Sequence, residues 1–158
     1  MKISDVRVLA LSLLSICLLL ITTVAAQESE KRVKMRDLPK AVQDTVREQS
    51  KGATLRGLAK EVEDGKTYYE AELKINGHNK DVLMDPAGAV VEVEEQVALA
   101  SLPPAVKAAI EKHAGKGKII NVESITKNNA VVAYEAHIKT GKKSSEIKVD
   151  TSGQLIKD

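Results

Sequence analysis

Glu70, Glu72 and Lys74 alternate with apolar residues in the stretch Tyr69-Glu70-Ala71-Glu72-Leu73-Lys74-Ile75. Glu135, His137 and Lys139 do the same after Tyr134. Carboxylates and an imidazole on one face of a sheet support two kinds of chemistry. If two such strands lie close, the acids and His137 converge on a divalent cation. Otherwise they form a solvated face held by cross-strand ion pairs and open to a partner. Charge alternation is what any half-buried sheet needs, so the second reading carries more weight. Tyr68 points the opposite way from Tyr69 and is the exposed aromatic of this face. The candidate binding residues are therefore Tyr68, Glu70, Glu72, Glu135 and His137.

Other chemistries find no residues. There is no Gly-x-Ser-x-Gly and no glycine-rich phosphate loop, so no catalytic residue is assigned and the chain is read as a non-enzyme. Gly115-Lys116-Gly117-Lys118 reads as the end of a helix, with lysines complementing its dipole. His78, His113 and His137 share no ligand spacing, so no metal centre and no cofactor is assigned. Glu92, Glu94 and Glu95 read as a strand edge guarded by charge.

The chain of 158 residues has a formal net charge of +2, with 43% hydrophobic and 29% charged residues. That balance gives no basic footprint for nucleic acid. Aromatics are 2%, three Tyr with no Phe or Trp, so the core has to be aliphatic. Lys2 and Arg7, an apolar run over residues 8–24 and the small residues of Val24-Ala25-Ala26 read as a signal peptide, residues 1–26, cleaved after Ala26. An uncleaved anchor is the competing reading of that run; the cleavage site and the lack of a basic flank favour removal. Cys17, the single cysteine, lies inside the apolar run, so the mature chain has no disulfide and no thiolate chemistry.

The elements that position the charged strands occur twice. Leu38-Pro39-Lys40-Ala41-Val42 returns 64 residues later as Leu102-Pro103-Pro104-Ala105-Val106. Tyr69-Glu70-Ala71 returns as Tyr134-Glu135-Ala136, and Asp85-Pro86-Ala87-Gly88 as Asp150-Thr151-Ser152-Gly153, both at an offset of 65. One extra residue near 130–133 accounts for the change. In each copy the apolar residues fall at helical spacing after the proline, with Asp37 or Ser101 as cap and Gly52 or Gly115 as stop. Alternating strands follow, including the face Val132, Tyr134, Ala136 and Ile138. Asp64-Gly65, Asn76-Gly77, Asn128-Asn129 and Thr140-Gly141 mark the hairpins between them.

The predicted fold is α+β. It has two tandem repeats, each one helix followed by an antiparallel meander of about four strands, with both helices on one face of a shared sheet. The predicted boundaries are a loose lead over 27–36, a first repeat over 37–95 and a second over 96–158. A unit of this size without large aromatics is marginal alone, so the two are expected to share one aliphatic interior.

The order LPKAV, DGKTYYEAEL, DPAGAVVE, then LPPAV, VAYEAHI, DTSGQLIK resembles the PepSY-like family, related in fold to the secreted beta-lactamase inhibitory protein. The resemblance covers about residues 37–158. It implies a periplasmic or secreted protein with a regulatory or inhibitory role toward proteases or other envelope enzymes, and brings no catalytic residue set. This chain lacks the disulfides and aromatic-rich concave face of that inhibitor, so the resemblance implies the fold and not beta-lactamase inhibition. The expected function is a non-catalytic exported binding module whose sheet face meets an envelope protein or peptide. The expected partners include no nucleic acid, and no stable membrane insertion follows leader removal. The alternative is a periplasmic protein binding a small ligand or divalent cation.

Overall fold

Both charge-alternating stretches are strands, and they lie in one antiparallel sheet. The structure is a computed structural model that describes residues 29–157. The expected signal peptide and its cleavage after Ala26 lie outside the described residues. Eight strands follow one another across the sheet in chain order: β1 (Ser29–Arg32), β2 (Thr54–Glu63), β3 (Lys66–Ile75), β4 (His78–Met84), β5 (Val90–Gln96), β6 (Lys118–Lys127), β7 (Ala130–Thr140) and β8 (Lys143–Asp150). Helix α1 (Lys40–Gln49) links β1 to β2, and α2 (Pro104–Ala114) links β5 to β6.

Three of the four expected hairpin turns form as read; at the fourth, Thr140 still pairs with Lys143, so the turn residues are Gly141 and Lys142 in place of Thr140 and Gly141. Asp64-Gly65, Asn76-Gly77 and Asn128-Asn129 all have positive φ at both positions, the conformation that matches a tight hairpin to strand twist. The helix starts differ from expectation. Asp37 and Ser101 sit in short 3-10 turns before the helices and cap nothing; Pro39 and Pro103 take the N-cap position, with no side-chain cap. Their carbonyls accept the first helical bonds, from the Gln43 N–H at 2.9 Å and the Lys107 N–H at 3.0 Å. A proline is suited to this place because its fixed φ already matches the helix entry. At the other end, Gly115 caps α2 at φ 56°, whereas Ser50 caps α1 and Gly52 turns the chain just beyond it.

Each helix buries its apolar face on the same side of the sheet. Under α1 lie Val42, Val46, Ala71, Leu73, Val82 and Met84; under α2 lie Val106, Ile110, Val122, Ala136, Ile138 and Val149. Tyr69 packs on the first cluster and Tyr134 on the second, as core-filling rings. The expectation of one shared interior is corrected: there are two aliphatic cores, one per helix. The helices stand over opposite ends of the sheet, and the cores are joined through β5. Val93 packs on the first, while Val97, just past the strand, packs on the second.

Three further expectations change. The lead expected over 27–36 is not loose in its described part, because residues 29–32 pair with β2 and Val33 and Met35 pack on the first core. Alternation is too short over four residues to announce such a strand. The second copy has three named strands after its helix, with only the isolated bridge Val149–Leu155 standing for a fourth. Val132 also leaves the apolar face. Ile125 pairs with Ala133 and Thr126 with Val131, so Val132 is the bulged extra residue, 40% exposed. That bulge is where the repeat offset changes from 64 to 65.

Candidate binding face

The sheet face opposite the helices is open, and the pairing register decides what stands on it. Glu72 on β3 pairs with Asp81 on β4, and Asp81 with Glu94 on β5. One row along, Glu70 pairs with Leu83 and Leu83 with Glu92. On the far side Gln96 pairs with Glu123, Glu123 with Glu135 and Glu135 with Lys148. Asn121, His137 and Glu146 form the next row. Like charges directly opposite one another are unfavourable, yet the centre of this face is a run of carboxylates.

Cations hold its margins. Arg32 on β1 pairs with Glu72, Lys127 with Glu92 at 2.7 Å, and Lys148 with Glu135 at 3.1 Å. Gly57 makes room for the first of these pairs, since a Cβ there would meet the ends of the Arg32 and Glu72 side chains. His137 sits among three acids: Nε2 lies 3.1 Å from Glu123 and 3.8 Å from Glu135, and Nδ1 lies 3.3 Å from Glu146. Glu123 also accepts a 2.6 Å hydrogen bond from the Asn121 amide.

This arrangement disfavours ionisation at the centre. Burial, then the hydrogen bond and charge of Glu61, push the Glu70 carboxyl up to about 9. Burial and the neighbouring Glu135, Glu92 and Glu123 raise Glu94 to about 7. Asp81 reaches about 6, through burial and the charges of Glu123 and Glu72. Burial alone would lower His137, but the hydrogen bond and charge of Glu123 outweigh it and hold the imidazole above its ordinary value. Desolvation and like charge both favour the neutral acid, so the two effects add here.

Each sequence-predicted residue can now be placed. Glu70, Glu72, Glu135 and His137 all stand on the open face, but as two groups, with Glu70 and Glu72 on one side of β4 and β5 and Glu135 and His137 on the other. Tyr68 shares the face, paired with Glu61, but is half-buried rather than fully exposed. Glu92, Glu94 and Glu95 guard no edge, because β5 pairs on both sides and lies mid-sheet. Sequence reasoning missed Asp81, Glu123 and Glu61. Asp81 carries a faint signal, being the one acid in a short strand whose neighbours Val82 and Met84 alternate inward.

A family model described as "Putative beta-lactamase-inhibitor-like, PepSY-like" matches the chain twice, over residues 25–91 and 67–157. Together these cover all of the described residues. The chain belongs to this PepSY-like family. Its two matches overlap across β3, β4 and the start of β5, the strands nearest the junction of the two repeats. Solved structures of similar fold include a "putative periplasmic" protein from Bacteroides eggerthii, at 20% identity and TM-score 0.61, covering 76% of this chain and 86% of that one. A DUF2874 family protein from Bacteroides uniformis shares 21% identity at TM-score 0.58, covering 75% and 86%. A BLIP-like protein from Bacteroides fragilis shares 22% at TM-score 0.53, covering 76% and 84%. At these identities the likeness shows the PepSY-like fold and nothing about ligands. No curated protein matches the chain.

Proposed function

We propose that this PepSY-like protein is a non-catalytic binding module of the cell envelope, exported to the periplasm or beyond, that holds a cationic segment of a protein or peptide against its open sheet face. One observation carries the reading: both helices cover the same side of the sheet, and the uncovered side gathers half-buried carboxylates at its centre with cations at its margins. An incoming Lys or Arg would let Glu70, Glu94 and Asp81 ionise, so binding would release protons and strengthen as pH rises. A regulator or inhibitor of an envelope or secreted enzyme, such as a protease, fits that description. The export reading is supported by the Val24-Ala25-Ala26 site and by the periplasmic description of a solved relative. No helix among the described residues is long and apolar enough to cross a membrane. The test is a pull-down from envelope extract with the wild-type chain and with Tyr68, Glu70 and Glu135 substituted together. Loss of a specific partner supports the face, and unchanged capture overturns it.

A divalent cation is the second reading. Ligand atoms of Glu135, His137 and Glu146 all lie within 4.8 Å of one another, as do those of Glu30, Glu70 and Glu72. The buried Asn121 Oδ1, beside the first group, has no hydrogen-bond partner among the described residues. Calorimetry with calcium and with divalent transition metals decides it: heat lost on Glu135→Gln supports the site, and no heat with no thermal shift ends it.

A further inference from the structure

The two repeats share a strand. Residues 93–96 of β5 pair with β6 in the same register as β1 pairs with β2: Val93 with Thr126 as Ser29 with Val62, and Gln96 with Glu123 as Arg32 with Ala59. The start of β5 belongs to the first repeat. Met84 pairs with Val90 as Val149 pairs with Leu155. So β5 joins the closing strand of one unit to the opening strand of the next, and the same two halves stand separately at the ends of the sheet, as Leu155 beside β8 and as β1.

Both ends present unused backbone. Among the described residues, no strand pairs with the outer side of β1, and β8 is met there only near its end, by the bridge at Leu155 and the bonds from the Ile156 N–H to the Lys148 carbonyl and from the Asp150 N–H to the Gln154 carbonyl. We propose that two copies of this chain associate head to tail, β1 of one copy adding to β8 of the other in the register that β5 uses on β4. That register pairs Lys31 with Ser145, Glu30 with Glu146 and Ser29 with Ile147, the counterparts of Glu95 with Lys80, Glu94 with Asp81 and Val93 with Val82. Main-chain hydrogen bonds supply the attraction, as in strand addition generally. The pairing ends at Ser29 opposite Ile147, because the next carbonyl along β8, that of Lys148, is already taken by the Ile156 N–H. Glu30 opposite Glu146 opposes the contact, so it is weak and concentration-dependent. Because the contact uses two different surfaces, it closes into a ring or runs on as a filament.

Cysteine pairing tests the register, since directly opposed residues on antiparallel strands lie within disulfide reach. In a Cys17→Ser background, the exported Lys31→Cys and Ser145→Cys chains are oxidised separately and as a mixture. A mixture of Lys31→Cys with Glu111→Cys, on the outer side of α2, measures random collision. Both edge positions are exposed, so neither change disturbs a core. A disulfide-linked dimer specific to the first mixture, well above the collision control, is the expected result. Dimers at the collision level in the mixture, or cross-linking by either single variant alone to the same extent, overturn head-to-tail pairing.

Discussion

Asp81 and Glu94 stand directly opposite one another on neighbouring strands at the centre of the open face. Both are half-buried, and each feels other carboxylates of the face, Asp81 those of Glu123 and Glu72 and Glu94 those of Glu135 and Glu92, a penalty that folding imposes and unfolding relieves. Several consequences can be measured.

Stability should fall as pH rises. An acid with a folded-state pKa above its unfolded value binds more protons when folded, so its penalty appears above the unfolded pKa and grows until the folded pKa is passed. For Asp81, Glu94 and Glu70 those upper bounds are about 6, about 7 and about 9. Thermal melts from pH 5 to pH 9 should show a continuous decline. Glu94→Gln should stabilise by about 1 kcal/mol at pH 8, allowing for solvent screening, and change little at pH 5. A flat profile for both chains would contradict the assignment.

His137 should titrate above its ordinary range, and Glu123→Gln should bring it down. With its folded pKa raised, the imidazolium contributes stability that is complete below the unfolded value of 6.5 and is lost as pH passes the folded value. NMR titration of the ring protons reads this directly. An unchanged His137 titration in the Glu123→Gln chain would show that the 3.1 Å contact has no electrostatic weight.

Glycine substitutions should divide sharply. Gly88 and Gly153 have φ of +82° and +85°, and a Cβ on either would come within 3.0 Å of a helix backbone, at Ala41 and Ala105. Alanine at either position should cost more than about 1 kcal/mol, from both strain and clash. Gly57→Ala meets only the mobile ends of Arg32 and Glu72, so it should displace that ion pair at a cost below about 1 kcal/mol, as surface pairs do. Chemical denaturation of the three variants gives the order.

The two cores should respond independently. Val46 and Ile110 are fully buried in different clusters. Ile110→Ala should destabilise by about 2–5 kcal/mol, and Val46→Ala by somewhat less. If the chain still unfolds in one cooperative step, the double variant should equal the sum within about 0.5 kcal/mol. A larger coupling energy would mean that the clusters act as one interior.

Much of this was legible in the residues. Helical spacing after Pro39 and Pro103, period-two alternation at Tyr69 and Tyr134, and positive-φ turn residues such as Asn76-Gly77 are local properties, set by backbone sterics and by which side chains each pitch brings to one face. The duplication followed from comparing them. The outward direction of Glu70, Glu72, Glu135 and His137 followed as well, because parity along a strand is local.

Only the assembled sheet decided the rest. The four polar residues of β1, three of them charged, become a strand because β2 offers an edge, and Glu94 lies mid-sheet because β5 serves both repeats. The depth to which Asp81, Glu94 and Glu70 are desolvated, and the meeting of His137 with Glu123 and Glu146, depend on which strands pair and in what register. Those contacts gather side chains from several strands onto one face, and the pattern within any single strand does not specify how deeply they are buried or which acids meet there.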